Sequence, residues 1–287
     1  MRAFRIAYDG RPYHGFQRQP DVPTVEDTLL SALANLGVTD GEVPPGYAAA
    51  GRTDAGVSAL AQTVAFETPE WLDPAALNSE LPGLADDRIG PVRAWASAPA
   101  PEDFHATHDA AAREYTYSLH RSGPGGSRPD GLDFDRAASA LDALAGAHDF
   151  HNLTPDETGT ERDLSATLDR DGDVFVLTVR SDGFPRQFVR RLVTLVVLIA
   201  SGEREMAFLD RVVSPESLSG PAGIGPAPPE PLVMTGVAYP NLSFERDDDA
   251  AATAARLFDR QRVESLERAR VAGTLAERLD THENEAD

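Results

Sequence analysis

Residues 47–67 read YAAAGRTDAGVSALAQTVAFE. Tyr47 to Ala50 has the composition of a strand, Leu60 to Glu67 reads as another, and between them Gly51 and Gly56 bracket Arg52, Thr53, Asp54 and Ala55. A strand that runs into such a segment can hold one carboxylate on a tight turn, aimed into open space, with Gly56 free to take positive φ. The plainer reading is an Asx turn in which Asp54 caps its own loop. Working outward, Arg2 to Tyr8 alternates as a strand and leads into the turn-rich YDGRPYHGF. Thr24 suits the N-cap of a helix through Leu36, with Asp27 three residues on as a short-armed capping-box acid. Pro74 to Leu81 reads as a short helix and Ile89 to Ala96 as a strand. The order is β-α-β-β-α-β, the ferredoxin-like arrangement.

The remaining chain repeats the theme. Arg113 to His120 alternates as a strand, 121–131 is a glycine- and proline-rich loop, and Asp133 to Ala145 is an alanine-rich helix. Leu164 to Arg180 reads as two strands joined through Asp169–Asp173, a hairpin signal. Pro185 to Ser201 is a strongly apolar helix, with Pro185 suited to its first turn, and Val233 to Tyr239 closes the sheet after the proline-rich 220–231. From about Ala250 to Leu279 a charged surface helix is expected, then a disordered tail. The fold class is therefore α/β (α+β): two ferredoxin-like halves, suggesting a pseudo-symmetric pair of sheets with a cleft between them. The expected units are 1–108, 109–245, and an acidic helix and tail over 246–287.

Composition narrows the function classes. The 287 residues contain no cysteine, which removes disulfides, thiol nucleophiles and thiolate metal sites and fits a reducing cytoplasm. The longest apolar run, Leu192 to Ala200, is far shorter than the roughly 20 residues of a membrane span, and the chain starts directly in a strand with no signal-peptide pattern. Net charge is −21 and every lysine-or-arginine position is arginine. Such a surface suits molar salt, where the Debye length falls to about 3 Å and self-repulsion is screened. We read this as the haloarchaeal pattern, with an ordinary acidic protein from a high-GC organism as the alternative. Global charge argues against nucleic-acid binding, so any RNA function must rest on a local arginine patch.

GRTDAGV, residues 51–57, resembles the signature of the tRNA pseudouridine synthase A family, and a fixed string of seven residues rarely arises by chance. Three further motifs follow the family order. They are Tyr8-Asp9-Gly10 with Tyr13, Gly15, Phe16, Gln17, Arg18 and Gln19; Phe104-His105-Ala106 followed by Arg113-Glu114-Tyr115-Thr116-Tyr117; and Phe184, Val189 and Arg190. Together they span residues 2–202. The resemblance implies two ferredoxin-like halves with mixed, largely antiparallel sheets around a basic central cleft, and an isomerase that turns uridine into pseudouridine in the tRNA anticodon stem-loop, at positions 38–40, with no cofactor and no metal. It implies covalent attack by Asp54, at C1′ of the ribose or C6 of the ring, which needs an ionised, positioned carboxylate. Arg190 lies on an otherwise apolar helix, where a guanidinium either finds a carboxylate or faces solvent at the first turns; the resemblance makes Asp54 its partner. Tyr115 is implied to stack on the flipped uracil and to move a proton, although alternation places Tyr117 on the same face. Arg52 is placed to touch the phosphate beside the flipped nucleotide, with Arg11, Arg18, Arg186 and Arg191 widening the patch. Phe16 and Gln17 are implied to read or displace substrate, with plain packing the alternative for Phe16. A cytoplasmic homodimer that binds tRNA across two subunits completes the expectation.

The sequence departs from the family at Ser58, where histidine is usual, at Thr107 in place of arginine, and at Thr194 in place of glycine. His14, His105, His108, His148 and His151 do not fall in metal-ligand spacing with carboxylates. The rival classes are a synthase for another RNA, a non-catalytic RNA-binding module, and an aspartate-dependent glycoside hydrolase. The last normally needs two carboxylates flanking the bond, and the aspartate motif contains one.

Overall fold

The computed structural model describes residues 1–83, 90–122, 131–218 and 223–283. Ile89 at the head of one expected strand, residues 123–130 of the expected loop, residues 220–222 of the proline-rich stretch and the last four residues lie outside these. The first half builds β1 (Arg2–Tyr8), α1 (Val25–Asn35), β2 (Ala48–Ala49), β3 (Ser58–Phe66), α2 (Pro74–Asn78) and β4 (Val92–Pro99). Thr24 caps α1 as its sequence promises, its hydroxyl accepting from the Asp27 N–H at 3.2 Å. The apolar face Val25, Leu29, Leu30 and Leu33 is buried against the sheet.

The second half builds β5 (Ala112–His120), α3 (Phe134–Leu144), β6 (Gly146–Asp149), β7 (Glu161–Asp171), β8 (Val174–Ser181), α4 (Phe188–Ala200), α5 (Phe208–Val212) and β9 (Leu232–Ala238). Short β10 (Glu245–Arg246) and long α6 (Asp248–Glu283) follow. The hairpin turn at Gly172 takes φ 58, as the sequence of aspartates around a glycine requires. β6, α5, β10 and a 3₁₀ turn at His151–Leu153 carry too few residues for a periodic signal and were not anticipated.

The α4 helix starts at Phe188, three residues later than Pro185 suggests. Gln187 sits at φ 60 and cannot belong to a right-handed helix, so Pro185–Gln187 forms a separate turn. The expectation of two sheets is also modified. Ten strands form one sheet in the order β10-β4-β1-β3-β9-β5-β8-β7-β6, with β2 paired on β3. Nearly all pairings are antiparallel. The halves join where β3 and β9 run parallel over only two residue pairs, Ser58 with Val233 and Ala59 with Met234. That join leaves neither half with an open inner edge. Two apolar cores result, one around α1 and β1–β4, the other around α3, α4 and β5–β8, and Tyr115 packs against both.

Candidate active site

A cleft of about 1200 Å³ lies along the seam between the halves. One wall is the 51–57 loop and the N-terminal loop; the other is the start of β5 and the turn before α4. Gly56 adopts φ 81, which frees the loop to reverse after Asp54. The N-terminal loop is stitched onto it: Phe16 N–H donates to Thr53 O at 3.0 Å and Gly56 N–H to Tyr13 O at 3.2 Å. Gly15, at φ 99, approaches so closely that a Cβ there would sit 2.9 Å from Thr53 O. Beneath, the buried Tyr8 and Thr53 hydroxyls share a hydrogen bond of 2.8 Å.

Asp54 does not cap its own loop. Its Oδ2 accepts from Arg190 Nη1 at 2.9 Å, with 30% of the aspartate side chain and 14% of the arginine side chain exposed. The pair is thus partly shielded from screening, yet the carboxylate keeps an open side towards the cleft. Arg190 is itself held by Nε donation to Ala227 O at 2.7 Å, while Ala227 N–H donates back to Arg190 O at 3.0 Å. The two β5 tyrosines differ in environment. Tyr117 is 2% exposed and its hydroxyl donates to Pro228 O, whereas Tyr115 lines the cleft. The Tyr115 ring meets Phe184 edge-on with centroids 5.4 Å apart, a contact worth about 0.5–1.5 kcal/mol beyond burial. Burial, then the neighbouring Tyr8, push the Tyr115 phenol above its ordinary range; Arg113 opposes and Asp54 adds to the shift.

The remaining expected residues divide. Arg52 and Gln17 are exposed and line the cleft, as does Arg186, which also pairs with Asp156 at 3.3 Å. Phe16 reaches the cleft only as a 1% exposed core ring beside Tyr8, a packing position. Arg18 turns to Asp27 at 2.9 Å, and Arg11 grips Asp9 at 2.6 Å beside a second cavity under α6. Arg191 donates to Ile224 O and Gln187 Oε1 and is not among the residues lining the cleft. Arg162 is an additional cleft arginine, and so is Arg113, which stands in its motif without an expected role of its own. Arg113 had a signal: alternation puts it on the face of Tyr115.

Among the described residues the cleft therefore carries Arg52, Arg113, Arg162, Arg186 and Arg190 against the carboxylates Glu26 and Asp54. This is a local reversal of the overall sign. No group of three or more histidines or carboxylates that can hold a metal ion occurs among those residues, and no helix there is long and apolar enough to cross a membrane. Each departure noted in the sequence makes a local bond. Ser58 Oγ accepts from Gly10 N–H at 3.0 Å, Thr107 Oγ1 donates to Ala49 O at 2.5 Å, and Thr194 Oγ1 donates to Arg190 O at 3.3 Å.

Residues 140–240 match the profile of a family described as tRNA pseudouridine synthase. The chain is 57% identical to the tRNA pseudouridine synthase A of Haloarcula marismortui, over 97% of this chain and 100% of that protein. It is 56% identical to that of Halobacterium salinarum, over 96% of this chain and 98% of the relative. With that of Methanosarcina acetivorans it shares 36% identity over 98% and 99% of the two chains.

Proposed function

The chain belongs to the tRNA pseudouridine synthase A family, a family of isomerases, and from that premise we propose that it converts uridine to pseudouridine in tRNA with Asp54 as nucleophile. The observation that carries the assignment of Asp54 is its 2.9 Å pairing with Arg190 at the floor of an arginine-lined cleft. The pairing fixes where the carboxylate points, and a positioned carboxylate is what nucleophilic attack requires. The target is a uridine of the anticodon stem-loop at tRNA positions 38–40, bound in the cytoplasm by a homodimer. The halves 1–108 and 109–245 supply the two cleft walls, and 246–287 is an appendage.

The reaction balances without an outside reagent. Asp54 attacks at C1′ or at C6 and the N1–C1′ bond breaks. The base turns, C5 bonds to C1′, and the bond from Asp54 to C1′ or C6 breaks, returning the free carboxylate. The C5 hydrogen leaves as a proton, while N1 gains one. Reactant and product are isomers, so no electrons or groups need be supplied. Reaching the base requires flipping it from the stack, at a cost of roughly a few kcal/mol. Stacking on Tyr115 offsets part of that cost, and Arg52 at the mouth contacts the flanking phosphate. Because burial holds the Tyr115 phenol neutral, stacking is available at every working pH, whereas taking the C5 proton requires the scarce phenolate.

The deciding measurement is tritium release from tRNA labelled at uridine C5, in molar KCl, with wild type beside Asp54→Asn. Release by wild type and none by the variant, at retained tRNA affinity, is the expected result. No release from either, with binding intact, would replace the synthase with an RNA-binding module or move the substrate to another RNA.

A further inference from the structure

Arg113 stands on β5 two residues before Tyr115, on the same face of the strand. Its guanidinium bonds to three chain segments at once. Nε and Nη2 donate to Ala50 O at 2.9 and 2.7 Å, Nη2 also to Thr107 O at 2.7 Å, and Nη1 to Asp182 O at 2.6 Å. Ala50 immediately precedes the 51–57 loop that carries Asp54. Asp182 lies two residues before Phe184, whose ring packs nearly perpendicular to that of Tyr115. Thr107 closes a second link by its 2.5 Å bond to Ala49 O. The acceptors are all backbone carbonyls, so the fork locates main chain and not mobile side chains. Only a planar guanidinium offers donors in directions that reach three such acceptors; an ammonium cannot reproduce the fork.

Space around the junction is short. A Cβ on Gly51 would lie 3.1 Å from Met234 Cε and 3.9 Å from the Tyr115 hydroxyl. A shift of Ala50 therefore moves the loop against Tyr115. We propose that Arg113 is a positioning residue for the isomerisation: it sets the Asp54 loop, the Tyr115 strand and the Phe184 turn in mutual register. The inference rests on the synthase reading and adds to it a residue that acts through Asp54 and Tyr115 without touching substrate. Misplacing reacting groups by about 1 Å costs on the order of 10²-fold in rate, and this sets the expected size.

The test compares wild type, Arg113→Lys and the milder Thr107→Val in tritium release from C5-labelled tRNA at molar KCl, with thermal melting and amide exchange measured on the same samples. The expected result for Arg113→Lys is a fall in kcat of ~10²-fold, with KM and tRNA affinity unchanged and the melting midpoint retained. Amide exchange should quicken at 50–54 and 182–184 alone. Thr107→Val should shift kcat the same way by less. A raised KM with kcat intact would show Arg113 to be an RNA contact and overturn the proposal. A lowered melting midpoint with exchange raised throughout the chain would reduce it to a general stability role, and unchanged kinetics would remove any role. An inactive wild type would instead sink the synthase reading, and the inference with it.

Discussion

Tyr115 and Tyr117 differ by two positions and share a face, yet their surroundings give them separate work. Tyr117 ends in the core on Pro228 O, while Tyr115 keeps one side on the cleft. Tyr115→Phe preserves the ring that stacks and removes only the hydroxyl. Its tRNA affinity should therefore match wild type in a filter-binding assay, while turnover falls. The phenol is shifted upward, so the phenolate fraction at pH 7 to 9 is small and grows about tenfold per pH unit. Wild-type turnover should rise along that limb and the phenylalanine variant should not. A variant with full turnover and the same pH profile would confine Tyr115 to stacking. Phe16, for which the sequence leaves substrate contact and plain packing both open, is a core ring at the edge of the cleft.

At the scale of elements, α6 shows how a helix that reads as charged surface is tied to the body. Its first turns bury Ala250, Ala251 and Ala254, and Gln261 donates to Asp9 Oδ2 at 3.0 Å. Asp9 is buried, which alone would raise its pKa; bonds from Arg11, and then from Gln261, outweigh burial and hold it below the ordinary carboxylate value. A depressed folded-state pKa contributes stability that is present above the unfolded value, near 3.9, and is lost as pH falls through the folded one. Asp9→Asn should thus cost about 1–2 kcal/mol at pH 7, discounted because Arg11 is half exposed. In urea unfolding at fixed salt, the gap between the two proteins should close as pH drops below 4. A gap that stays constant down to pH 3 would show that the charge of Asp9 contributes nothing.

The whole molecule carries −21 charges, yet its cleft is lined by five arginines, of which Arg113 is engaged by main-chain carbonyls and Arg190 by Asp54. Long-range repulsion and short-range attraction respond differently to salt. The Debye length shrinks from about 10 Å at 0.1 M to about 3 Å at 1 M, so distant acidic groups are silenced while bonds of about 3 Å inside the cleft persist. Melting temperature should rise between 0.1 and 2 M KCl, and tRNA affinity should hold or improve over the same range in a competition assay. A steep collapse of affinity towards molar salt, the ordinary behaviour of a phosphate-binding surface, would overturn this account.

Local chemistry made much of the protein legible in its sequence. Alternation located β1 and β5, the Thr24 cap located α1, and the aspartate-rich glycine turn located the β7–β8 hairpin, because each depends on neighbours along the chain. The 51–57 string marked the loop of Asp54 for the same reason. Tertiary structure alone decided the rest. The Arg113 fork gathers carbonyls from three segments and leaves no periodic trace; the pairing of Asp54 with Arg190 links residues 136 apart and leaves none either, so that only the family resemblance implied it before the fold showed it. The fusion of two expected sheets into one rests on only two residue pairs of β3 and β9. Contacts between distant segments are set by how packed elements meet, and that geometry is a property of the folded chain as a whole.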